Sequence, residues 1–318
     1  GIFALNLFKP SGYDLITFGE ALERFSYYST QMLIVLYLTQ TFFLSDETSY
    51  LIFGGYAALT YALPVLGGLI ADKILNLKAT LSLGSFLLFL GSLCMAFPKL
   101  NAFYLGLAIS SWGIGLYKPN STNLFGKLYD LLPAQRERGF TFYYMGMNLG
   151  AVLSPLVFGL FSQSGYHSAF LISAGLLLFN WLLFLWRQAA ITVAEPNLPR
   201  FSWIKQLGIY ALIFASCGLL ALLFYYPVIM KGFLAFFALA MLMLIVKLVR
   251  QQSVTLRRQL LSLFGLFIFG LSFFAASLQT GSSLSLFIQR YVNRNVGGWT
   301  LPTLMFSLLY PLAVLIAI

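Results

Sequence analysis

Apolar residues run through this chain in blocks of helix-spanning length, each closed by a short polar or charged stretch. At ~20 apolar residues per bilayer crossing, the blocks predict helices near 13–40, 49–71, 79–97, 102–126, 139–162, 167–186, 204–226, 232–249, 259–289 and 303–318. The first and ninth are longer than a bilayer needs, which predicts tilt or protrusion into water. The pattern is that of an all-α polytopic membrane protein with about ten spans. The stretch 187–205, with Pro196 and Pro199, reads as a linker behind a six-span bundle. The chain starts on Gly1 without a signal peptide, and its last block is still apolar at Ile318. It is therefore expected to be part of something longer.

Composition narrows the class. Of 318 residues, 60% are hydrophobic and 9% are charged, against roughly 25% charged in a soluble domain. So few charges cannot cover a water-facing surface, and so much apolar residue excludes disorder. The net charge of +10 does not point to nucleic acid, because the basic residues are scattered between apolar runs and form no basic face. Their scatter instead reports orientation. Lys9, Lys73, Lys78, Lys127, Arg136, Arg138, Arg187, Arg200, Lys205, Lys247, Arg250, Arg257 and Arg258 flank one side of the predicted spans. Only Lys99, Lys231, Arg290 and Arg294 flank the other. This bias places the amino terminus in the cytoplasm. Cys94 and Cys217, both in apolar runs, read as buried small hydrophobes.

Four ionisable residues fall inside spans: Glu20, Glu23 and Arg24 in the first, and Lys118 in the fourth. A charge at membrane depth costs several kcal/mol, so such residues are functional candidates by default. Glu20, Glu23, Arg24, Tyr27 and Gln31 share one helix face, which should look into the bundle. Counting from the basic flanks at ~1.5 Å per residue puts Arg24, Lys118, Asn148 and Tyr61 all roughly 15 Å deep. Polar groups from four helices therefore converge near the midplane, where secondary transporters bind substrate and ions. Pro64, Gly67, Gly68, Gly113, Gly115, Pro119, Gly146, Gly150, Pro155 and Gly159 suit either close packing or hinging of the bundle.

Intramembrane enzymes fit poorly. The lone histidine, His167, lies at a span edge, every Asp is at a span end or in a loop, and no His/Cys/Asp/Glu cluster suggests a metal.

Several motifs carry a resemblance. Glu20-Ala-Leu-Glu23-Arg24-Phe25-Ser26-Tyr27-Tyr28 resembles the E-x-x-E-R-F-x-Y-Y signature of the proton-dependent oligopeptide transporters, a branch of the major facilitator superfamily. Gly67–Lys73 resembles that family's G-G-x-x-A-D-K/R loop between spans two and three. Gly113–Asn120, Phe140–Gly150 and Gln279–Leu284 resemble its motifs in spans four, five and seven.

The resemblance implies two six-helix bundles, with two extra helices inserted between them. The chain would then divide into an N-terminal bundle at 1–187, a linker with inserted helices at 188–250, and the start of the C-terminal bundle at 251–318. It implies a proton-coupled symporter of di- and tripeptides in the inner membrane, without cofactor, driven by the proton gradient. A monomer in the lipid bilayer is expected, with no nucleic-acid partner. Arg24 would bind the peptide carboxylate, and Glu20 and Glu23 would carry the coupling proton. Lys118 would pair alternately with an acid and with substrate. Tyr27, Tyr61, Asn148 and Gln279 would line the peptide pocket. Three positions depart from the family pattern: Leu278 stands where many members carry an acid, Tyr310 precedes Pro311 in place of Asn, and Ser29 replaces Gly. The alternatives are a relative that carries another small anionic solute, or a truncated membrane protein that does not transport.

Overall fold

The computed structural model describes residues 12–160, 165–193 and 203–317. The predicted linker residues Pro196 and Pro199, and the flanking Lys9 and Arg200, lie outside the described residues. Among those described, the first eight predicted blocks are all helical. They form α1 (Tyr13–Gln40), α2 (Asp46–Lys73), α3 (Leu77–Met95), α4 (Leu100–Leu128), α5 (Arg136–Leu160), α6 (Tyr166–Arg187), α7 (Trp203–Tyr225) and α8 (Pro227–Arg250). Side chains set several starts. Ser45 accepts from the Thr48 amide at the head of α2, and Asn76 accepts from Ala79 at the head of α3.

Two expectations change. Gly67–Lys73 is helical to its end, as the last two turns of α2, and only Ile74–Asn76 form the connection. The ninth block is not one helix. It divides into α9 (Val254–Leu278), a 3-10 turn over Gln279–Gly281, and α10 (Ser283–Tyr291). The turn fits because Gly281 lies against α1, where an added Cβ would sit 2.8 Å from the Gln31 carbonyl oxygen. Hydroxyls then serve carbonyls freed by the break: Thr280 donates to Ser277 O at 2.7 Å and Ser282 to Leu278 O at 3.1 Å. Such local satisfaction is what a broken helix at membrane depth requires. Beyond α10 a tight hairpin pairs β1 (Asn295–Val296) with β2 (Trp299–Thr300) through Gly297 and Gly298, both at positive φ. A 3-10 segment, Thr303–Leu308, leads into α11 (Leu309–Ala317).

Among the described residues, six helices are long and apolar enough to cross a membrane by length and composition: α2, α3, α6, α7, α8 and α9. The helices α1, α4 and α5 are not among them, because charged, amide and hydroxyl side chains occupy much of their length. These three form the centre of the bundle. α1 packs on α5, α6 and α2, and α4 packs on α3, α2 and α7. α7 and α8 add to the outside of the first six helices, against α4 and α2 respectively.

Glycines permit the tightest crossings. A Cβ on Gly67 would lie 1.9 Å from the Gly115 carbonyl oxygen, between α2 and α4. One on Gly150 would lie 2.2 Å from the Ala21 carbonyl oxygen, between α5 and α1. Close packing, the first of the two sequence readings, therefore accounts for these small residues. Gly68, one residue from Gly67, has nothing within 4 Å of its Cβ position.

The pair makes a test. Gly67→Ala should lower the melting temperature in detergent, since forcing volume into a packed contact costs about 1–3 kcal/mol. Gly68→Ala should leave it unchanged or raise it slightly. Equal melting temperatures for the two variants would contradict the crossing geometry.

Candidate functional site

The polar stripe of α1 points inward, as its spacing predicts. Glu20 and Glu23 are fully buried, Arg24 is buried, and Tyr27, Tyr28 and Gln31 are half-buried. Arg24 forms a two-pronged bond with its own neighbour: Nε donates to Glu23 Oε2 at 2.5 Å and Nη2 to Oε1 at 2.7 Å. Its guanidinium also lies 4.4 Å from the Tyr27 ring centroid. The other acid is held from α4. Lys118 Nζ donates to Glu20 Oε1 at 2.5 Å, and Ser121 Oγ donates to Glu20 Oε2 at 2.9 Å. Arg24 Nε stands 3.8 Å from Glu20 Oε1, so the two pairs touch. α5 closes the site: the Tyr143 hydroxyl lies 3.1 Å from Ser121 Oγ, and Met147 Sδ lies 3.4 Å from Lys118 Nζ.

Two acids and two cations thus make a neutral cluster in a low-dielectric interior. Neutrality is what allows it to exist, because an unpaired buried charge costs several kcal/mol. The members are not equally wet. Both glutamate side chains are 0% exposed, whereas Arg24 is 11% and Lys118 is 31% exposed. The cations face the open side, and the acids lie behind them.

Next to the cluster, beyond Tyr27 on α1, is a cavity of about 310 Å³. It lies between α1 (Tyr28, Gln31, Met32), Ala151 of α5, the end of α9 with its turn (Phe273, Ala276, Ser277, Thr280, Gly281), and Ser307, Tyr310 and Pro311. Hydroxyls, one amide and aromatic rings line it, and no carboxylate does. Tyr310, one of the departures, is part of this wall.

The structure brings Glu20, Glu23, Arg24, Tyr27 and Lys118 together. Tyr61 stands near Tyr27 and Tyr28 without joining the ion pairs, while Asn148 and Gln279 bond elsewhere. Tyr61 is 54% exposed and packs on Phe274 of α9, with centroids 6.0 Å apart. Asn148 is buried but donates to the Tyr144 carbonyl one turn back on its own helix, at 2.9 Å. Gln279 sits in the 3-10 turn, donating to Ala275 O at 3.4 Å and accepting from Ser283. Ser121 and Tyr143 belong to the cluster and escaped the sequence reading. Ser121 had a visible signal, since it lies one turn beyond Lys118 on the same face of α4. His167 meets the buried Tyr37 hydroxyl at 3.0 Å, a satisfied contact at the head of α6.

A helical membrane bundle enclosing paired charges beside a cavity defines a membrane transporter class of protein. Comparison with known proteins gives the family. A model of the POT family (PTR2) matches residues 74–318, and the chain belongs to that family. It is 28% identical to "Uncharacterized transporter YclF" of Bacillus subtilis (strain 168), over 96% of this chain and 66% of that protein. It is 28% identical to dipeptide and tripeptide permease A of Serratia proteamaculans (strain 568), over 99% of this chain and 63% of the permease. It thus spans just under two thirds of the length of these relatives. A solved bacterial homologue of the human drug peptide transporters PepT1 and PepT2 superposes with a TM-score of 0.85 at 26% identity. That superposition covers 96% of this chain and 69% of the homologue.

The neutral cluster predicts non-additive stability. Lys118→Met strands Glu20 in the interior and should cost about 3 kcal/mol in thermal or denaturant unfolding. Adding Glu20→Gln should restore most of that loss. Additive losses in the double variant would show that the two residues do not form a pair.

Proposed function

We propose that the whole protein is a proton-coupled symporter that imports di- and tripeptides across the inner membrane. One observation carries the reading: the cations of the cluster face the open side, while the acids are fully buried behind them. An arriving substrate carboxylate can pair with Arg24, whose guanidinium fork suits it as well as it suits Glu23. Once Arg24 turns to substrate, a buried carboxylate loses its partner. Taking up a proton is its least costly response, because burial disfavours the charged form. Peptide binding and proton uptake are linked in this way without a cofactor, and the proton gradient supplies the drive. Lys118 holds Glu20 and exchanges it for substrate later in the cycle. Tyr27, Tyr61, Asn148 and Gln279 serve as pocket residues once the bundles move. The family membership supports the transport class, and the similarity to a dipeptide and tripeptide permease supports the substrate.

The same reading assigns 1–187 to a first bundle, 188–250 to the linker and inserted helices, and 251–318 to the start of a second bundle. It places the amino end in the cytoplasm, from the Lys and Arg bias. A monomer is the working unit, since every residue of the cluster comes from one chain.

A second reading draws on the cavity wall. Its lining has no carboxylate to receive an amino terminus, which favours a small anionic solute over a zwitterion. Competition with N-acetylated dipeptides separates the two: they compete as well as free dipeptides only if the amino group is not recognised.

The test is uptake of a labelled dipeptide into liposomes with an inward proton gradient. Accumulation above empty liposomes is expected, and its absence across a panel of di- and tripeptides would refute the proposal. Arg24→Ala should abolish peptide binding; unchanged affinity would remove the carboxylate role. Glu23→Gln should keep counterflow exchange while losing proton-driven accumulation. Equal loss of both would assign Glu23 to folding or binding instead.

A further inference from the structure

A second cavity, about 570 Å³ and open to the outside of the bundle, lies away from the ion-pair cluster. It is bounded by the first turns of α3, the last turns of α6 and the second turn of α7. Its lining combines Lys78, Asn76, Ser82 and Gln188 with Trp181, Tyr210 and Phe86. The polar groups are a cation, amides and hydroxyls, and no carboxylate is among the described lining residues. Lys78 is half-buried and donates to the Ile191 carbonyl at 2.7 Å, which holds its ammonium at the mouth. Two of its three N–H groups stay available. Trp181 donates to Ser82 Oγ at 3.2 Å and packs against Phe86 with centroids 4.9 Å apart and ring planes tilted by 48°, so the inner wall is fixed and aromatic. Phe86 lies midway along α3 and Trp181 and Tyr210 lie one to two turns inside α6 and α7, while Asn76, Lys78 and Gln188 lie at helix ends, on the side of the molecule that carries most of the Lys and Arg. That is interface depth, where Trp and Tyr settle at the headgroup level.

We propose that this groove binds the headgroup of an anionic phospholipid, with Lys78 pairing the phosphate. The amides of Asn76 and Gln188 meet the glycerol oxygens, and the first acyl segments lie on Phe86 and Trp181. Basic pockets between helices at the membrane interface take such headgroups by this chemistry. A lipid is the occupant, rather than a free anion, because the lining runs from Asn76, Lys78 and Gln188 at helix ends to Trp181 and Phe86 further along α6 and α3, the order in which a lipid presents headgroup and chains. An anion held there would tie α7 to the edge of the first six helices, which α7 otherwise meets through α4.

The test uses Trp181 as its own reporter. The protein is reconstituted in phosphatidylcholine with increasing phosphatidylglycerol, with bromine on the acyl chains of one lipid at a time. Trp181 quenching is the difference between the wild type and Trp181→Phe. A bound headgroup predicts saturating quenching by brominated phosphatidylglycerol at low mole fraction, with about fivefold preference over phosphatidylcholine. Lys78→Gln should reduce that preference to below about twofold. Quenching proportional to mole fraction and equal for the two lipids in the wild type overturns the proposal, whether or not Lys78→Gln folds. Loss of the preference on adding inorganic phosphate at millimolar concentration would assign the groove to a free anion and also overturn it.

Discussion

The molecule is organised around one electrostatic requirement: four ionisable side chains placed at membrane depth must remain paired. Glu23 with Arg24, and Glu20 with Lys118, satisfy it at 2.5 Å each. The requirement dictates which helices can lie where. α1 and α4 carry the charges, so they are enclosed by more apolar helices and do not face lipid alone. It also sets how closely backbones approach. Lys118 reaches Glu20 only if α4 lies near α1, and Gly67, Gly115 and Gly150 remove the side chains that would hold the neighbouring helices apart. Packing and charge pairing are two sides of one arrangement.

Much of this was legible in the sequence because membrane insertion punishes misplaced charge so heavily. Glu20, Glu23, Arg24 and Lys118 stood out against apolar runs, and helical spacing put the first three on one face. Depth counting placed Lys118 and Arg24 on one level, and the structure joins them through Glu20. The same counting gave Tyr61 and Asn148 that level but could not give direction. Depth is a one-dimensional measure, whereas Asn148 has a backbone acceptor one turn away on its own helix and Tyr61 a ring partner on α9. Neutral polar groups find such local partners cheaply, so their position reports less than that of a charge.

The broken ninth block was harder to foresee for a similar reason. The dip in hydropathy over Gln279–Ser283 is too short to divide the apolar block, and the deciding facts are a close approach at Gly281 and hydroxyls that replace lost backbone bonds. Only the cluster Thr280-Gly281-Ser282-Ser283 hinted at it. The break has a consequence for the site, because the turn supplies Thr280 and Gly281 to the wall of the 310 Å³ cavity. A continuous helix would carry a Cβ-bearing surface past α1 at this level. The interruption instead leaves space beside Gln31, within reach of the cluster two turns below.

The contact between the two ion pairs bears on where a coupling proton would go under the proposed cycle. Arg24 Nε lies 2.5 Å from Glu23 and 3.8 Å from Glu20, while Lys118 serves Glu20 only. A substrate carboxylate that draws Arg24 away removes the basic partner that Glu23 has among the described residues. Glu20 keeps its ion pair with Lys118 and its bond from Ser121. The loss of charge balance is therefore local to one acid, and the side chain of that acid is fully buried. Glu23 differs from Glu20 here by environment alone, without any intrinsic difference between two glutamates three residues apart. If Lys118 is drawn away instead, Arg24 remains close enough to Glu20 to offset part of the loss. The asymmetric sharing of one guanidinium between two acids thus makes removal of Arg24, and not of Lys118, the event that leaves a buried acid without a cation beside it.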